Sequence, residues 1–199
     1  VIRAGAQALE RGASAMLMLG GAALRGKALE WAGRIAAKTG CRLMAEYNNA
    51  RMEAGAGRVY VPRLPYAVDN ALAATRDVRN LVLVGAKTPV SFFAYPGKPS
   101  VLVSNECSVT GVATVAEDLE HALEALAAEL GATAGAAPHG SLQRDSALPS
   151  GAMTAEGIAA VLAALMPENA VVCDESVSTG RSFGAAMAHA APHDWLSIM

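Results

Sequence analysis

The apolar residues follow two periodicities along the chain, and together they predict a succession of strands and helices. Short apolar runs are typical of strands that are buried on both faces. These runs are residues 14–20, 41–45, 80–85 and 100–103. Apolar residues at helical spacing predict helices. These stretches are residues 1–12, 22–39, 66–75 and 115–130. Residues 47–64 show neither period and predict an irregular segment.

The pattern changes after residue 130. Gly, Ala, Pro and Ser dominate residues 131–151, as in a linker between domains. Periodic segments then return: a helix over 155–165 with Thr154 as a candidate cap, a strand over 170–173, a helix over 180–190, and the first residues of a strand from Trp195.

The order of these elements predicts an α/β fold class. We expect residues 1–130 to form a three-layer domain with a mostly parallel, doubly wound, Rossmann-like sheet. Residues 131–151 are the predicted linker, and residues 152–199 the beginning of a second α/β domain. The chain lacks an initiator Met, starts within a helical pattern and stops within a strand pattern. We therefore expect it to be a fragment of a longer polypeptide.

Composition narrows the function classes. With 53% hydrophobic and 17% charged residues among 199, a disordered chain is excluded. A net charge of −2 argues against nucleic-acid binding by charge alone. No apolar run approaches the ~18 residues of a membrane-spanning helix. Cys41, Cys107 and Cys173 are odd in number and far apart, which favours reduced thiols and a cytoplasmic protein.

Gly20 and Gly21 form a glycine turn between a predicted strand and a predicted helix. Backbone N–H groups at such a turn suit a phosphate, so a nucleotide site is one interpretation. The full G-x-G-x-x-G spacing is absent, and a plain tight turn of a doubly wound sheet is the other interpretation. The bare sequence favours the plain turn.

The segment from Gly85 to Lys98 follows another predicted strand, at the end where open α/β sheets place ligands. Lys87 and Lys98 are candidates for pairing with phosphate. The aromatic residues Phe92, Phe93 and Tyr95 either stack on a ligand ring or belong to the core or an interface, and the second interpretation is favoured.

The segment Asp174-Glu-Ser-Val-Ser-Thr179 is the junction between the strand and the helix of the second unit. It either contacts a cofactor or substrate, or caps the helix through Ser178 or Thr179. From residue types alone, capping is favoured. The histidines show no spacing suited to zinc, and no nucleophile elbow or P-loop is present.

Four segments of the sequence resemble segments of a known enzyme family. They are Arg63-Leu-Pro-Tyr66, Asn80-Leu-Val-Leu-Val-Gly-Ala86, Pro89-Val-Ser-Phe-Phe-Ala-Tyr-Pro-Gly-Lys-Pro99 and Ala170-Val-Val-Cys-Asp-Glu-Ser-Val-Ser-Thr179. The first three resemble the middle domain of acetolactate-synthase-like, thiamine-diphosphate-dependent enzymes, and the last resembles the first strand of their diphosphate-binding domain. The resemblance covers nearly the whole chain in the same order.

The resemblance implies a 2-keto acid decarboxylase or carboligase that uses thiamine diphosphate and Mg²⁺ and works as a homodimer or homotetramer. In this family the catalytic glutamate belongs to a preceding domain, and the magnesium motif would lie beyond Met199. No catalytic or metal residue is therefore assigned, and we expect the chain to be inactive by itself. The residues carried over to the vicinity of thiamine diphosphate are Glu175, Ser176, Ser178 and Thr179.

Acetolactate synthases proper also bind FAD in the middle domain. Gly20 and Gly21 retain the glycine turn, with Lys87 as a further candidate contact for FAD or ADP. The other flavin-contact strings differ here, at residues 44–48 and 85–88. A benzoylformate-type decarboxylase, whose middle domain needs no flavin, fits as well. A non-catalytic nucleotide-binding or structural α/β domain is the remaining alternative.

Overall fold

A computed structural model describes residues 1–143, 148–176 and 178–197, with the side chains of residues 181 and 182 excluded. The strands are β1 (Ala15–Leu19), β2 (Arg42–Ala45), β3 (Arg51–Ala54), β4 (Asn80–Val84), β5 (Ser108–Ala113), β6 (Ala170–Asp174) and β7 (His193–Ser197). The helices are α1 (Ile2–Leu9), α2 (Gly26–Thr39), α3 (Val68–Thr75), α4 (Leu119–Glu129), α5 (Ala155–Leu165) and α6 (Phe183–Met187).

The chain divides into two compact units, and the division does not follow chain order. Unit 1 is Val1–Asn49 with Arg63–Ala137, and unit 2 is Ala50–Pro62 with Pro138–Met199. Part of the predicted linker, residues 144–147, and the end of the predicted last strand, residues 198–199, lie outside the described residues.

Unit 1 is built on a parallel sheet with strand order β2-β1-β4-β5. Every residue of β1 is buried, as its unbroken apolar run predicts. One face of the sheet packs on α3 through a core that includes Met16, Met18 and Leu81. On the other face α1 and α2 pack against α4. The predicted α/β class with a three-layer, doubly wound sheet is confirmed.

The fourth strand of this sheet differs from the predicted one. Residues 100–103 form only an isolated bridge, between Val90 and Val101, while β5 completes the sheet. Residues 100–103 are apolar for another reason: Leu102 and Val103 belong to the core under α3. Strand β5 is a sheet edge of which only Ala113 is buried, so it lacks the apolar run that identifies a strand.

Two predicted helices are each preceded by a 3₁₀ turn and begin later than expected. Residues 21–24 form a 3₁₀ turn, and α2 starts at Gly26 and ends at Gly40, whose φ of 72° is the left-handed conformation of a helix stop. In the second half of the chain, a 3₁₀ turn over Thr179–Ser182 precedes the short helix α6.

Unit 2 contains a sheet of order β3-β7-β6, in which β6 runs parallel and β3 antiparallel to β7. Strand β3 corrects the prediction that residues 47–64 are wholly irregular. The core includes Met187, Ala190 and Trp195, and Thr154 caps α5 by accepting the N–H of Gly157 at 3.0 Å. Within the described part of the chain, no helix combines the length and hydropathy that crossing a bilayer requires.

Candidate functional site

The carboxyl ends of β1, β2, β4 and β5 meet at one edge of the unit 1 sheet, because the strands are parallel. The chain leaves β1 for β2 on one side and returns to β4 on the other side of β1. Such a reversal is where open α/β sheets leave a crevice for ligands. The residues directly after the ends of β1, β2 and β4 are Gly20, Glu46 and Gly85.

Gly20 and Gly85 bring the ends of β1 and β4 into contact. The Gly20 N–H donates to the carbonyl of Val84 at 3.0 Å, and the Gly85 N–H donates to Ala113 at 2.8 Å. A Cβ on either glycine would collide with the carbonyl oxygen of the other, and Gly85 has a φ of +66°. Both positions therefore require glycine for reasons of packing, with no ligand needed to explain them.

The Glu46 carboxylate fills part of the crevice. The backbone N–H of Glu46 donates to the carbonyl of Leu19 at 2.9 Å, which places the Glu46 side chain over the end of β1. One oxygen of its carboxylate lies against Gly20. The other oxygen accepts the backbone N–H of Lys87 at 3.3 Å. Burial raises the pKa of Glu46, and the hydrogen bond and charge of Lys87 partly oppose this rise.

The crevice does not fit the diphosphate of FAD or ADP. A phosphate beside Gly20 would meet the Glu46 carboxylate, which repels it when ionised. The 3₁₀ turn and Arg25 also separate the glycines from the start of α2, so that Gly20 and Gly21 do not stand at the N-terminus of that helix. The Lys87 side chain is exposed, and it is the Lys87 backbone N–H that hydrogen-bonds to Glu46.

The aromatic residues after β4 are not core residues. Phe92 is 49% exposed, Phe93 56% and Tyr95 36%. They continue a row of rings that begins with Tyr47 and Tyr66. Lys98, the second predicted phosphate ligand, is paired instead with Asp69 at 2.5 Å.

At the junction after β6, the acidic residue Asp174 organises the turn. Its carboxylate accepts the backbone N–H of Ser176 at 2.8 Å and also the hydroxyl of that serine. Ser178 begins the following 3₁₀ turn, but its side chain makes no capping hydrogen bond, so the predicted cap at Ser178 is not formed. Glu175, Ser178 and Thr179 are exposed, and Val177 lies outside the described residues.

Sequence reasoning missed Glu46, and it singled out the segment that begins at Asp174 without assigning Asp174 its role in the turn. Each is a carboxylate at the carboxyl end of a strand, Glu46 directly after β2 and Asp174 as the last residue of β6. An acidic residue directly after the second strand of a doubly wound sheet is a recognisable signal, and it could have identified Glu46. Within residues 1–143, 148–176 and 178–197, no group of three or more His, Cys, Asp or Glu side chains could hold a metal ion.

Comparison with known proteins gives one curated relative at high similarity. Over 190 residues the chain is 43% identical to the "Putative acetolactate synthase large subunit IlvX" of Mycobacterium tuberculosis. The match covers 96% of this chain and 36% of that protein, so the chain spans little more than a third of its relative. No family model matches the chain.

Solved structures of thiamine-diphosphate-dependent enzymes share the fold. A 4-hydroxybenzoylformate decarboxylase of Rhodococcus jostii RHA1 aligns with a TM-score of 0.69 at 18% identity, over 98% of this chain and 40% of that one. An enzyme of Mycobacterium smegmatis, described as a "putative thiamin diphosphate-dependent enzyme", aligns with a TM-score of 0.63 at 21% identity, over 98% and 41%. The resemblance predicted from the sequence is thus confirmed: over nearly its whole length the chain is related to the acetolactate synthase large-subunit-like, thiamine-diphosphate-dependent enzymes.

Proposed function

We propose that the protein to which this chain belongs is a thiamine-diphosphate-dependent decarboxylase or carboligase of small 2-keto acids, of the acetolactate synthase kind. The observation that carries the proposal is the 43% identity to a curated acetolactate synthase large-subunit-like protein over 96% of the chain. Residues 1–130 serve in this proposal as the middle domain, residues 131–151 as a linker, and residues 152–199 as the beginning of the diphosphate-binding domain.

The turn after β6 offers groups that fit thiamine diphosphate. The 3₁₀ turn that starts at Ser178 has no side-chain cap, and the hydroxyl-bearing residues Ser178 and Thr179 are exposed beside it. Hydroxyls and uncapped N–H groups are donors that a phosphate accepts. Shortly before this turn, Ser176 donates its N–H and its hydroxyl to the Asp174 carboxylate. When bound, thiamine diphosphate supplies the electron-accepting chemistry that decarboxylation of a 2-keto acid requires.

The chain itself contributes positioning in this proposal. Ser176 is held by Asp174, and the exposed Glu175, Ser178 and Thr179 would orient the cofactor and border its substrate. In the family that the chain resembles, the magnesium ligands and the catalytic glutamate belong to parts of the enzyme that this chain does not match, and we assign them there. The chain alone is accordingly expected to be inactive. A homodimer or homotetramer in the cytoplasm completes the proposal.

The test is an assay of the complete encoded polypeptide with thiamine diphosphate, Mg²⁺, and pyruvate or benzoylformate. We expect release of carbon dioxide from at least one 2-keto acid. Replacing Thr179 by Ala should raise the concentration of thiamine diphosphate needed for half-maximal activity by about 10- to 100-fold, because a hydrogen bond to a charged group is lost. The control Thr133→Ala, at an exposed threonine of unit 1, should leave this concentration unchanged.

Two results would contradict these expectations. If the polypeptide binds thiamine diphosphate but decarboxylates none of a panel of aliphatic and aromatic 2-keto acids, the proposed activity is wrong. If Thr179→Ala and Thr133→Ala behave alike, the activity stands but the proposed cofactor contact is wrong.

A second candidate is a benzoylformate-type decarboxylase without a flavin. The observation that favours it is the Glu46 carboxylate beside Gly20, where a dinucleotide would place its phosphates. A preference for benzoylformate over pyruvate, with no FAD retained on purification, would support this candidate over an acetolactate synthase.

A further inference from the structure

A cavity lies between the end of α3 and the segment 99–105, which leads from β4 to β5. Its volume is about 700 Å³, which is within the range of pockets that bind small molecules. The residues that line it all belong to unit 1. We call it the α3 cavity.

The α3 cavity lies toward the amino ends of the strands. Helix α3 ends at Thr75, and the chain then enters β4 at Asn80, so the end of α3 stands near the start of that strand. The segment 99–105 likewise leads to the start of β5 at Ser108. The crevice beside Gly20 lies at the carboxyl ends instead, and the two sites share no lining residue.

Hydrogen bonds hold the two walls of the cavity in place. The Thr75 hydroxyl donates to the carbonyl of Leu102, which ties α3 to the opposite wall. The Leu102 N–H donates to the Pro89 carbonyl at 2.9 Å, and the Ser91 N–H donates to the Ser100 carbonyl at 2.8 Å. The cavity is therefore formed by the fold itself, and a ligand need not open it.

The lining combines apolar and polar side chains. The apolar ones are Leu72, Pro99, Val101 and Val103. The polar ones include Arg76, Ser100, Ser104 and Asn105. Such a lining suits a molecule that has a hydrocarbon part and a polar head.

Arg76 supplies the charge of the cavity. It is the charged residue of the lining, it is exposed, and in the described part of the chain it forms no ion pair. Asp77, which follows it in the chain, lies outside the lining. A guanidinium binds a carboxylate through two parallel hydrogen bonds, so Arg76 favours a ligand with a carboxylate.

Other carboxylates near the two walls already have cationic partners. Asp69, one turn before the lining residue of α3, pairs with Lys98 at 2.5 Å. Glu106, directly after the segment 99–105, pairs with Arg79 at 3.5 Å. Neither carboxylate belongs to the lining, so neither competes with a ligand for Arg76.

The carbonyl groups at the end of α3 would by themselves oppose an anion. One of them, the Ala74 carbonyl, accepts a hydrogen bond from Nη1 of Arg42 at 3.2 Å. Nε and Nη2 of Arg42 are buried and have no hydrogen-bond partner among the described residues. Two guanidinium groups, Arg42 and Arg76, thus stand at the end of α3, which offsets the unfavourable helix dipole.

We propose that the α3 cavity binds a small aliphatic monocarboxylate, with its carboxylate on Arg76 and its chain on Leu72 and Val101. Ser100 and Asn105 offer further hydrogen-bond donors to the carboxylate. A phosphate suits the site less well, because the lining holds a single cation beside apolar side chains. Since the cavity shares no residue with the crevice or with the turn after β6, this ligand is not a reactant of the proposed chemistry.

The experiment measures binding to the 199-residue chain by titration calorimetry and methyl NMR. Hexanoate, 1-hexanol and hexylammonium share one hydrocarbon chain and carry a negative, a neutral and a positive head. Inorganic phosphate is an anion without a chain. We expect hexanoate to bind most tightly and to shift the methyl signals of Leu72, Val101 and Val103. The methyl signals of Val115, an exposed valine outside the cavity, should not move.

Variants of Arg76 locate the carboxylate. Arg76→Gln should weaken hexanoate binding about 10-fold, because a hydrogen bond between charged groups is lost. Arg76→Lys keeps the charge but not the two parallel donors, and should weaken binding by less. The matched control is Arg11→Gln, at an exposed arginine just after α1, and it should bind like the wild type. The methyl spectrum of each variant also reports whether it is folded.

Each of the following results would overturn the proposal. Equal binding of hexanoate and 1-hexanol would show that the charge is not recognised, and equal binding of phosphate would show that the apolar wall takes no part. Equal losses in Arg76→Gln and Arg11→Gln would place the binding elsewhere. Absence of hexanoate binding at roughly 10 mM would exclude this class of ligand. Because the readout is equilibrium binding to the chain, it is independent of the decarboxylation assay, and either hypothesis can fail while the other stands.

Discussion

The two strand-to-turn junctions of this chain use their polar groups in opposite ways. After β1, the glycine turn is closed: Gly20 packs on the Gly85 backbone, and the Glu46 carboxylate covers it. After β6, Asp174 and Ser176 bond to each other while Ser178 and Thr179 remain exposed with an uncapped turn. The first junction thus presents a carboxylate to its crevice, whereas the second presents the two hydroxyls on which the proposed cofactor contact rests.

The largest expected effect tests how tightly the first junction is closed. Gly85→Ala places a Cβ against the Gly20 carbonyl at a φ of +66°, and should lower the free energy of unfolding by about 2–5 kcal/mol. Gly111→Ala is the matched control on β5, where a Cβ meets nothing within 4 Å. Urea unfolding measures both. Equal stabilities of the two variants would mean that the glycine contact is not a close one.

The equivalent change at the second junction is Gly180→Ala. The new Cβ would overlap the Ser176 hydroxyl, which must rotate away from Asp174, and we expect a loss of about 1–3 kcal/mol. Gly184→Ala in α6 has open space and should gain up to about 1 kcal/mol. Measured against Ser176→Gly, which removes both the hydroxyl and the Cβ, the added change Gly180→Ala should cost much less; an unchanged loss would contradict the contact with Ser176.

A third measurement concerns the covering carboxylate. Since burial raises the pKa of Glu46, the folded protein holds this proton more tightly than the unfolded chain does. Stability contributed by protonated Glu46 is therefore lost as the pH rises from its ordinary pKa of 4.5 through the raised value. Glu46→Gln keeps an acceptor for the Lys87 N–H and removes this loss. Unfolding free energies of both proteins across that interval should diverge as the pH rises, and parallel curves would refute the burial of the carboxylate.

The smallest expected effect concerns the junction after β1, where we expect neither FAD nor ADP to bind. Millimolar FAD or ADP should move the melting temperature of the chain by less than about 1 °C, because a ligand stabilises a protein only if it binds the folded state. Glu46→Ala removes the repelling carboxylate and serves as the comparison. A rise of several degrees in the wild type would show that the crevice accepts a dinucleotide after all.

The sequence predicted the buried parts of the fold better than the exposed ones. The apolar runs of β1 and β4 are unmistakable because both faces of these strands are covered. Strand β5 has one buried residue, and β3 has none, so neither carries a periodic signal. Strand β3 also forms by pairing with β7, whose residues lie far along the chain. Local sequence patterns do not indicate such long-range pairing.

The candidate sites also differ in how much of them the sequence shows. Glycine turns and hydroxyl clusters are visible as strings, so Gly20, Gly21, Ser178 and Thr179 could be named as candidates from the sequence. Glu46 gains its role only from its contact with the end of a neighbouring strand and with Lys87, and a sequence does not show which neighbour a side chain meets. The exposure of Phe92 and Phe93 is equally a result of tertiary structure.

The pairing of β3 with β7 links the order of synthesis to the order of folding. Arg51 pairs in register with Leu196, and its guanidinium donates a hydrogen bond to the Asp194 carboxylate at 2.7 Å. Strand β3 is therefore synthesised more than a hundred residues before the strand with which it pairs. Loop closure over such a separation is slow, and β3 has to stay out of other pairings meanwhile. A protease cut within residues 131–151 would likewise leave two pieces joined through this pairing, and the nicked protein should migrate as one species until it is denatured.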